Sequence, residues 1–556
     1  NFSSENGSLN LGNSGDGILA YQGNSLGNVT TFLHAIGEDS GDVGSFPSGT
    51  LDNGEYILLS NNDGNYNGST NASKVDLFTI INSASNWSVS ASQNVSAPGS
   101  FTVKVPITSS TGNWSSNSTW SSGSVPEASD YVTISAGTLV TVDASSTARS
   151  FEVESGGFML VNNSLTIDGG SGVSTSTVTG TVNVTGANSK LTITSGGLTV
   201  SAGASLSISE GKQLVFTSSA STITNSGTIT LNSDSDEFSS LIYSGSSYSG
   251  SGKLKYARYV SAVGSSWDLI GSPVSGESAS DIISQGNLAT QGSDYGIGPY
   301  DNTSGNDNTS GYGSWTTYDF SGAFLEGVLE SGKGFQMATD NGATIDFEGD
   351  LLTSNATYTI TEGDSDGDAA SVAGTRFNLL SNPYPSYLSV NSNASSAASN
   401  GSDHILKASN LAMLHTNNQA IYVWNGSSYT TINSATSAAN AVIAPGQGFM
   451  VGGSYTVANA SSSFTFNNSM ITENGSDDAI ANDIMYNDRA ELFINLHQIN
   501  ENRWTEIYFL DNTSDSFEPQ YDAGSLGFDY PSIITRLVEG DEGADLAIQS
   551  LAYSEM

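Results

Sequence analysis

The chain has 556 residues, enough for several hydrophobic cores, and 55 acidic against 14 basic residues give it a net charge of −41. Such a surplus of negative charge repels phosphate backbones, so nucleic acid is excluded as a partner, and it suits a salty medium that screens self-repulsion. The absence of cysteine removes zinc–thiolate sites, iron–sulfur clusters and thiol catalysis, and no apolar run approaches the roughly 18 residues of a membrane-spanning helix.

Ser, Thr, Asn and Gly dominate the polar content, but Val, Ile, Tyr and Phe recur throughout, which a disordered chain would lack. The expectation is an all-β, multidomain protein of β-sandwich-like units with a short-rung β-solenoid. Residues 1–105 read as a first sandwich-like module. Alternating runs such as Ile18 to Gln22 and Thr31 to Ile36 are bounded by Gly, Asn and Asp, and a short helix is expected within Val75–Trp87. This stretch resembles a module recurrent in secreted and surface proteins of Bacteroidota.

Residues 106–250 change character. Trp114, Trp120, Pro126 and the run Tyr131 to Ile134 open the segment. Apolar pairs then recur about every eight residues: Val182 and Val184, Leu191 and Ile193, Leu198 and Val200, Leu206 and Ile208, Leu214 and Phe216. Eight residues per step is too short for a helical repeat and suits stacked short strands. Trp114 and Trp120 flank a polar turn and are expected to cap the end of the stack, since an open solenoid end invites strand pairing; the alternative is a surface pair that stacks on sugar rings. The opening pattern resembles β-helical segments of Bacteroidota adhesins.

Residues 251–475 hold a duplication, with copies at about 256–362 and 376–475. Leu269 to Pro273, Trp315 and the run Gly332-Lys333-Gly334-Phe335 are matched in order by Leu379 to Pro383, Trp424 and Gly446-Gln447-Gly448-Phe449. Proline to tryptophan is 42 residues in one copy and 41 in the other; proline to the final phenylalanine is 62 and 66. Two copies of one sandwich-like unit, or one pseudo-symmetric domain, are expected.

The remainder, residues 476–556, carries Tyr508-Phe509-Leu510 followed by Asp511-Asn512-Thr513, then Tyr521-Asp522-Ala523-Gly524, and finally Ile548-Gln549-Ser550-Leu551. This order resembles the start of the C-terminal sorting domain of cargo exported by the type IX secretion system of Bacteroidota. The resemblance implies an extracellular or cell-surface location, associated with the outer membrane. It also implies the type IX translocon and its outer-membrane shuttle protein as partners, with Tyr508, Phe509, Tyr521, Asp522, Gly524, Ile548, Gln549 and Leu551 as recognition residues. That domain continues beyond the Ile-Gln-x-Leu segment, and Asn1 to Glu5 lacks the basic start of a leader, so the sequence is expected to be a window on a longer protein. The polar stretch from Glu473 to Asp483 is the expected junction.

Motif-like stretches carry little chemistry. The run from Gly327 to Lys333 has Gly334 where a phosphate-binding loop needs Ser or Thr, and Gln447 replaces the lysine in the other copy, so it reads as a turn. Gly363 to Gly367 spells a nucleophile-elbow pattern, but no helix-forming run follows it. Asp364, Asp366 and Asp368 alternate and form a candidate calcium site, set against a solvated acidic loop. The histidines His34, His404, His415 and His497 have no partner at metal-ligand spacing. The functional expectation is a non-catalytic cell-surface structural or adhesive protein, a stalk or filament subunit, with self-association and a surface glycan as candidate partners. The alternative is the non-catalytic C-terminal portion of a secreted hydrolase whose catalytic domain lies outside this window.

Overall fold

In the computed structural model the described residues are 18–25, 28–37, 56–58, 63–72, 77, 80–81, 83–90, 102–170, 174–245, 247–264, 266–302, 314–322, 327–361, 376–395, 403–426, 428–436, 441–454, 462–473, 475, 490–498, 501–510, 513–514, 516–526, 533–536 and 545–552. The protein is all-β with several sheets, including a β-solenoid of about six turns. Two compact units divide the chain: residues 1–108 with 128–133, and residues 109–127 with 134–556.

In the first unit, Ile18–Ser25 and Asn28–Gly37 form an antiparallel hairpin, and Tyr56–Leu58 adds to it in parallel. The expected helix is partly realised: Leu77 and Ile80 are helical and buried, and a 3-10 turn spans Ala84–Asn86. Tyr66 packs edge-on against Trp87 across the pair Asp63–Tyr66 and Trp87–Ser90.

The second unit begins with the solenoid. Its strands are mostly four residues long, one apolar side chain in and one polar side chain out, and three of them make a turn. One interior column runs Val140, Met159, Val182, Leu206, Ile229 and Leu254 in direct parallel register, every member 0–1% exposed. From Met159 onward the step along the chain is 23, 24, 23 and 25 residues, three of the eight-residue steps read from the sequence. A second column is Leu165, Leu191, Leu214 and Leu241. Each buried Leu or Ile contributes about 1.5–3 kcal/mol, but only because the next rung covers it.

Both ends of the main column are closed. At the first end Trp114 is fully buried, with its ring 4.8 Å from that of Trp120, and the Trp120 indole N–H donates to the Trp114 carbonyl at 2.7 Å. The two tryptophans therefore form the expected cap. At the other end the last rung, Leu254–Val260, pairs antiparallel along its whole length with Ala343–Gly349 of the first copy. One strand thus belongs to both solenoid and sandwich, so the expected boundary near 250 falls within a continuous sheet.

The duplication is visible in topology. Copy 1 orders its sheet Asp268–Ile270, Phe335–Met337, Ile297–Asp301, Ser314–Trp315; copy 2 orders Phe377–Ser381, Gly448–Gly452, Ile421–Trp424, Tyr429–Ile432 in the same sequence of pairings. The copies exchange contacts reciprocally. Ile270 bridges to Gln447 while Leu380 bridges to Lys333, and Gly271 N–H donates to the Gly446 carbonyl while Ser381 N–H donates to the Gly332 carbonyl, both at 2.8 Å. The contacts thus relate the two sheets as a pseudo-symmetric pair. The G-x-G-F runs are its hinge of contact: Gly332 and Gly446 take positive φ (91° and 68°), and a Cβ on Gly334 or Gly448 would lie 2.6–2.8 Å from atoms of Leu379 or Leu269.

Register also revises one equivalence. Gly298 faces Gln336 as Tyr422 faces Met450, so Tyr300 corresponds to Trp424, and Trp315 corresponds to Tyr429. The nearly equal proline-to-tryptophan spacings do not mark equivalent tryptophans. The hairpin strands are joined through residues 302–313 in copy 1 and 425–428 in copy 2, and the shift across the hairpin swaps the aromatic types.

The terminal sheet runs Ala490–Gln498, Glu501–Leu510, Leu546–Ala552, Ala523–Gly524. Its Tyr508, Ala523, Leu526 and Ile548 share one core with Phe377, Leu379, Tyr422 and Met450. Copy 2 in turn lies on a solenoid face: Lys190 pairs with Glu473, Gln213 donates to the Glu473 carbonyl at 3.0 Å, and Leu241 N–H donates to the Pro385 carbonyl at 2.8 Å.

Candidate functional site

A cleft of about 640 Å³ lies between the copies. Tyr300, Asp301, Thr317 and Lys333 come from copy 1, as does Tyr358 on its last strand, Ala356–Ile360, and Leu379 comes from copy 2. A short residue lets one of its walls close in. Gly298 stands where copy 2 has Tyr422, and a Cβ there would lie 1.8 Å from the Thr316 carbonyl oxygen, so Thr316 to Tyr318 folds in over the sheet.

The floor is polar and rigid. Asn302 Nδ2 donates to the carbonyls of Thr361 (2.9 Å) and Phe377 (3.0 Å), and Thr361 Oγ1 donates to Asn302 Oδ1 at 3.0 Å. Asn378 accepts from Thr361 N–H at 2.9 Å and donates back to its carbonyl at 2.8 Å. Both amides are buried and spent on backbone, which fixes the cleft shape. One lining aromatic has a neighbour outside the cleft: the Tyr300 and Trp315 rings are 4.9 Å apart, and Trp315 is 40% exposed. Thr317 also lines a second hollow of about 350 Å³ with Trp267 and Tyr295, where Phe320, 51% exposed, leans on Tyr295 at 4.6 Å.

The residues read as sorting determinants gather in the terminal sheet, chiefly as packing groups. Tyr508 is 1% exposed and donates to the Glu506 carboxylate. The fully buried Asp522 carboxylate accepts from the N–H groups of Glu518 and Ser550, each at 2.6 Å. The Tyr521 carbonyl accepts from Asn433 at 2.8 Å, and the Gly524 carbonyl accepts from Tyr422 Oη at 2.8 Å. Ile548 and Gln549 are buried; Phe509 and Leu551 are half-buried. The Tyr-Asp-x-Gly stretch is thus the seam between terminal sheet and copy 2. Asp364, Asp366 and Asp368, with the Gly363 to Gly367 pattern, lie outside the described residues, between Thr361 and Arg376. Among the described residues no group of three or more His, Asp or Glu is placed to hold a metal ion, and no helix there is long and apolar enough to cross a membrane.

Residues 173–552 match the protein family described as "Domain of unknown function (DUF8693)". The chain belongs to this family. The DUF8693 span opens just before the solenoid strand Thr175–Val178 and closes on the final strand, Leu546–Ala552, so it takes in solenoid turns, both copies and the terminal sheet together. No curated protein and no solved structure matches the chain.

Sequence reasoning missed the cleft. Its only signal was the cluster of Tyr, Trp and Thr between Tyr300 and Tyr318, which an aromatic-rich β-protein offers in many places.

Proposed function

We propose that this DUF8693 protein is a non-catalytic structural or adhesive protein of the cell surface, exported by the type IX secretion system. The observation that carries the reading is the seamless junction of solenoid and sandwich. Leu254–Val260 is at once the last solenoid rung and the partner of Ala343–Gly349, so a stalk-like stack holds the aromatic cleft rigidly. The Tyr508 to Leu510, Tyr521 to Gly524 and Ile548 to Leu551 pattern supports the export route, with the translocon and shuttle protein as transient partners. Self-association into filaments is the further extension of this role.

The test is negative-stain electron microscopy of material sheared from cells, with mass spectrometry to find this chain, repeated in a strain lacking the translocon. Surface fibres or coats that contain the chain, and lose it without the translocon, are expected. Recovery of the chain only from the cell interior in both strains would overturn the proposal.

A further inference from the structure

We infer that the cleft between the copies is a binding site for a neutral oligosaccharide segment, with Tyr300 and Trp315 as its stacking platform. The inference rests on the adhesive reading above and names its ligand class.

The Trp424–Tyr429 pair of copy 2, with rings 4.9 Å apart, is the register equivalent of Tyr300–Trp315. In copy 2 the face is used for packing: Trp424 Nε1 donates to the Trp267 carbonyl at 2.8 Å, Trp424 and Tyr429 pack on the core that the terminal sheet completes, and Tyr422 Oη donates to Gly524. In copy 1 the Thr316 carbonyl fills the place of a side chain at Gly298, Tyr300 lines the cleft, and Trp315 is left partly in water. Tyr300 packs partly against that same core, but its cross-strand partner Trp315 stays 40% exposed where the equivalent Tyr429 is packed.

The chemistry of the lining selects the ligand class. Pyranose rings present a C–H face that stacks on an aromatic ring and an equatorial belt of hydroxyls that both donate and accept. The cleft supplies both partners: Tyr300, Tyr358 and the adjoining Trp315 for the faces, threonine hydroxyls with Asp301 and Lys333 for the belt. Its volume is within the range of sites that enclose small ligands. Charge separates neutral from ionic sugars. In a chain of net charge −41 this cleft carries one acid and one base, so it has no excess positive charge to hold a uronate or sulfate. The hollow beyond Thr317, with Trp267 and Tyr295, adds aromatic surface next to the first cleft and fits a polymer longer than that cleft holds.

The experiment is calorimetric titration of the full chain with neutral gluco-, manno- and galacto-oligosaccharides, with uronic-acid oligosaccharides and a proline-rich peptide as comparators. One neutral series binding, with affinity lowered at least tenfold by Trp315→Ala and by Thr317→Ala at unchanged melting temperature, is the expected result. Trp315 is exposed, so its removal spares the fold; Thr317→Ala reports on the cleft if Trp315 proves too peripheral. Binding of uronates or of the peptide alone, no binding of any probe at millimolar concentration, or neutral binding indifferent to both variants would overturn the assignment. Because the titration uses purified protein, its failure leaves the surface location standing, and an intracellular location would leave the titration result standing.

Discussion

At the scale of single residues, the glycines of the two G-x-G-F runs separate a phosphate-loop reading from a packing one. Gly334 and Gly448 stand where the partner copy's strand passes too close for a side chain, and the Gly334 N–H is spent on the Leu379 carbonyl at 3.1 Å. Gly448→Ala sets a Cβ 2.8 Å from the Leu269 backbone carbonyl carbon, and is expected to cost about 1–3 kcal/mol by chemical denaturation. A neutral outcome would mean that the copies can separate freely there. His415 has a pH signature. Burial, helped by the Arg376 charge, lowers its pKa from 6.5 to about 4, and its Nδ1 accepts from Asn417 N–H at 3.2 Å. The folded state thus favours the neutral ring, and this contribution is intact above pH 6.5 and lost as pH falls through about 4. His415→Asn keeps an acceptor without the titration, so the fall in melting temperature between pH 6.5 and 4 should be shallower in the variant than in the parent.

At the scale of elements, the terminal sheet is held by a seam rather than by a linker. Tyr422 Oη donates to the Gly524 carbonyl and accepts from Asn418 Nδ2, each at 2.8 Å, within a fully buried site that pushes its own pKa upward. Tyr422→Phe leaves both partners dry and unpaired, at about 1–3 kcal/mol. Limited proteolysis should then cut the terminal strands of the variant sooner than those of the parent; identical cleavage rates would show that the seam contributes nothing. The solenoid columns follow different physics. Each rung is covered by its neighbours alone, so the two end closures, Trp114 with Trp120 and Leu254–Val260 with Ala343–Gly349, protect everything between.

At the scale of the whole molecule, the shared strand and the shared core tie solenoid, copies and terminal sheet into one cooperative body, consistent with a family span that crosses all three. A chain ending at residue 489 loses Tyr508, Ala523, Leu526 and Ile548 from that core and exposes Tyr422 and Met450. Its melting temperature is expected to fall by on the order of 10 °C or more. An unchanged melting temperature would return the terminal sheet to the status of a detachable tag.

The strand class, the solenoid and the duplication are legible in the residues alone, because each is a local periodicity: one residue in, one out, a turn about every eight residues, and two runs of the same landmarks. The capping role of Trp114 and Trp120 was legible for the same reason, since a polar turn between two indoles sits at the start of the pattern. The rest depends on contacts between distant segments. The true equivalence of Tyr300 with Trp424 depends on register across a hairpin whose loop differs between copies. The seam at Tyr422 and Gly524 joins residues about a hundred positions apart, and the cleft needs Tyr300, Tyr358 and Leu379 to meet from three strands. Spacing along a chain encodes which face a side chain takes, but which face meets which other face is settled by the packing of whole sheets.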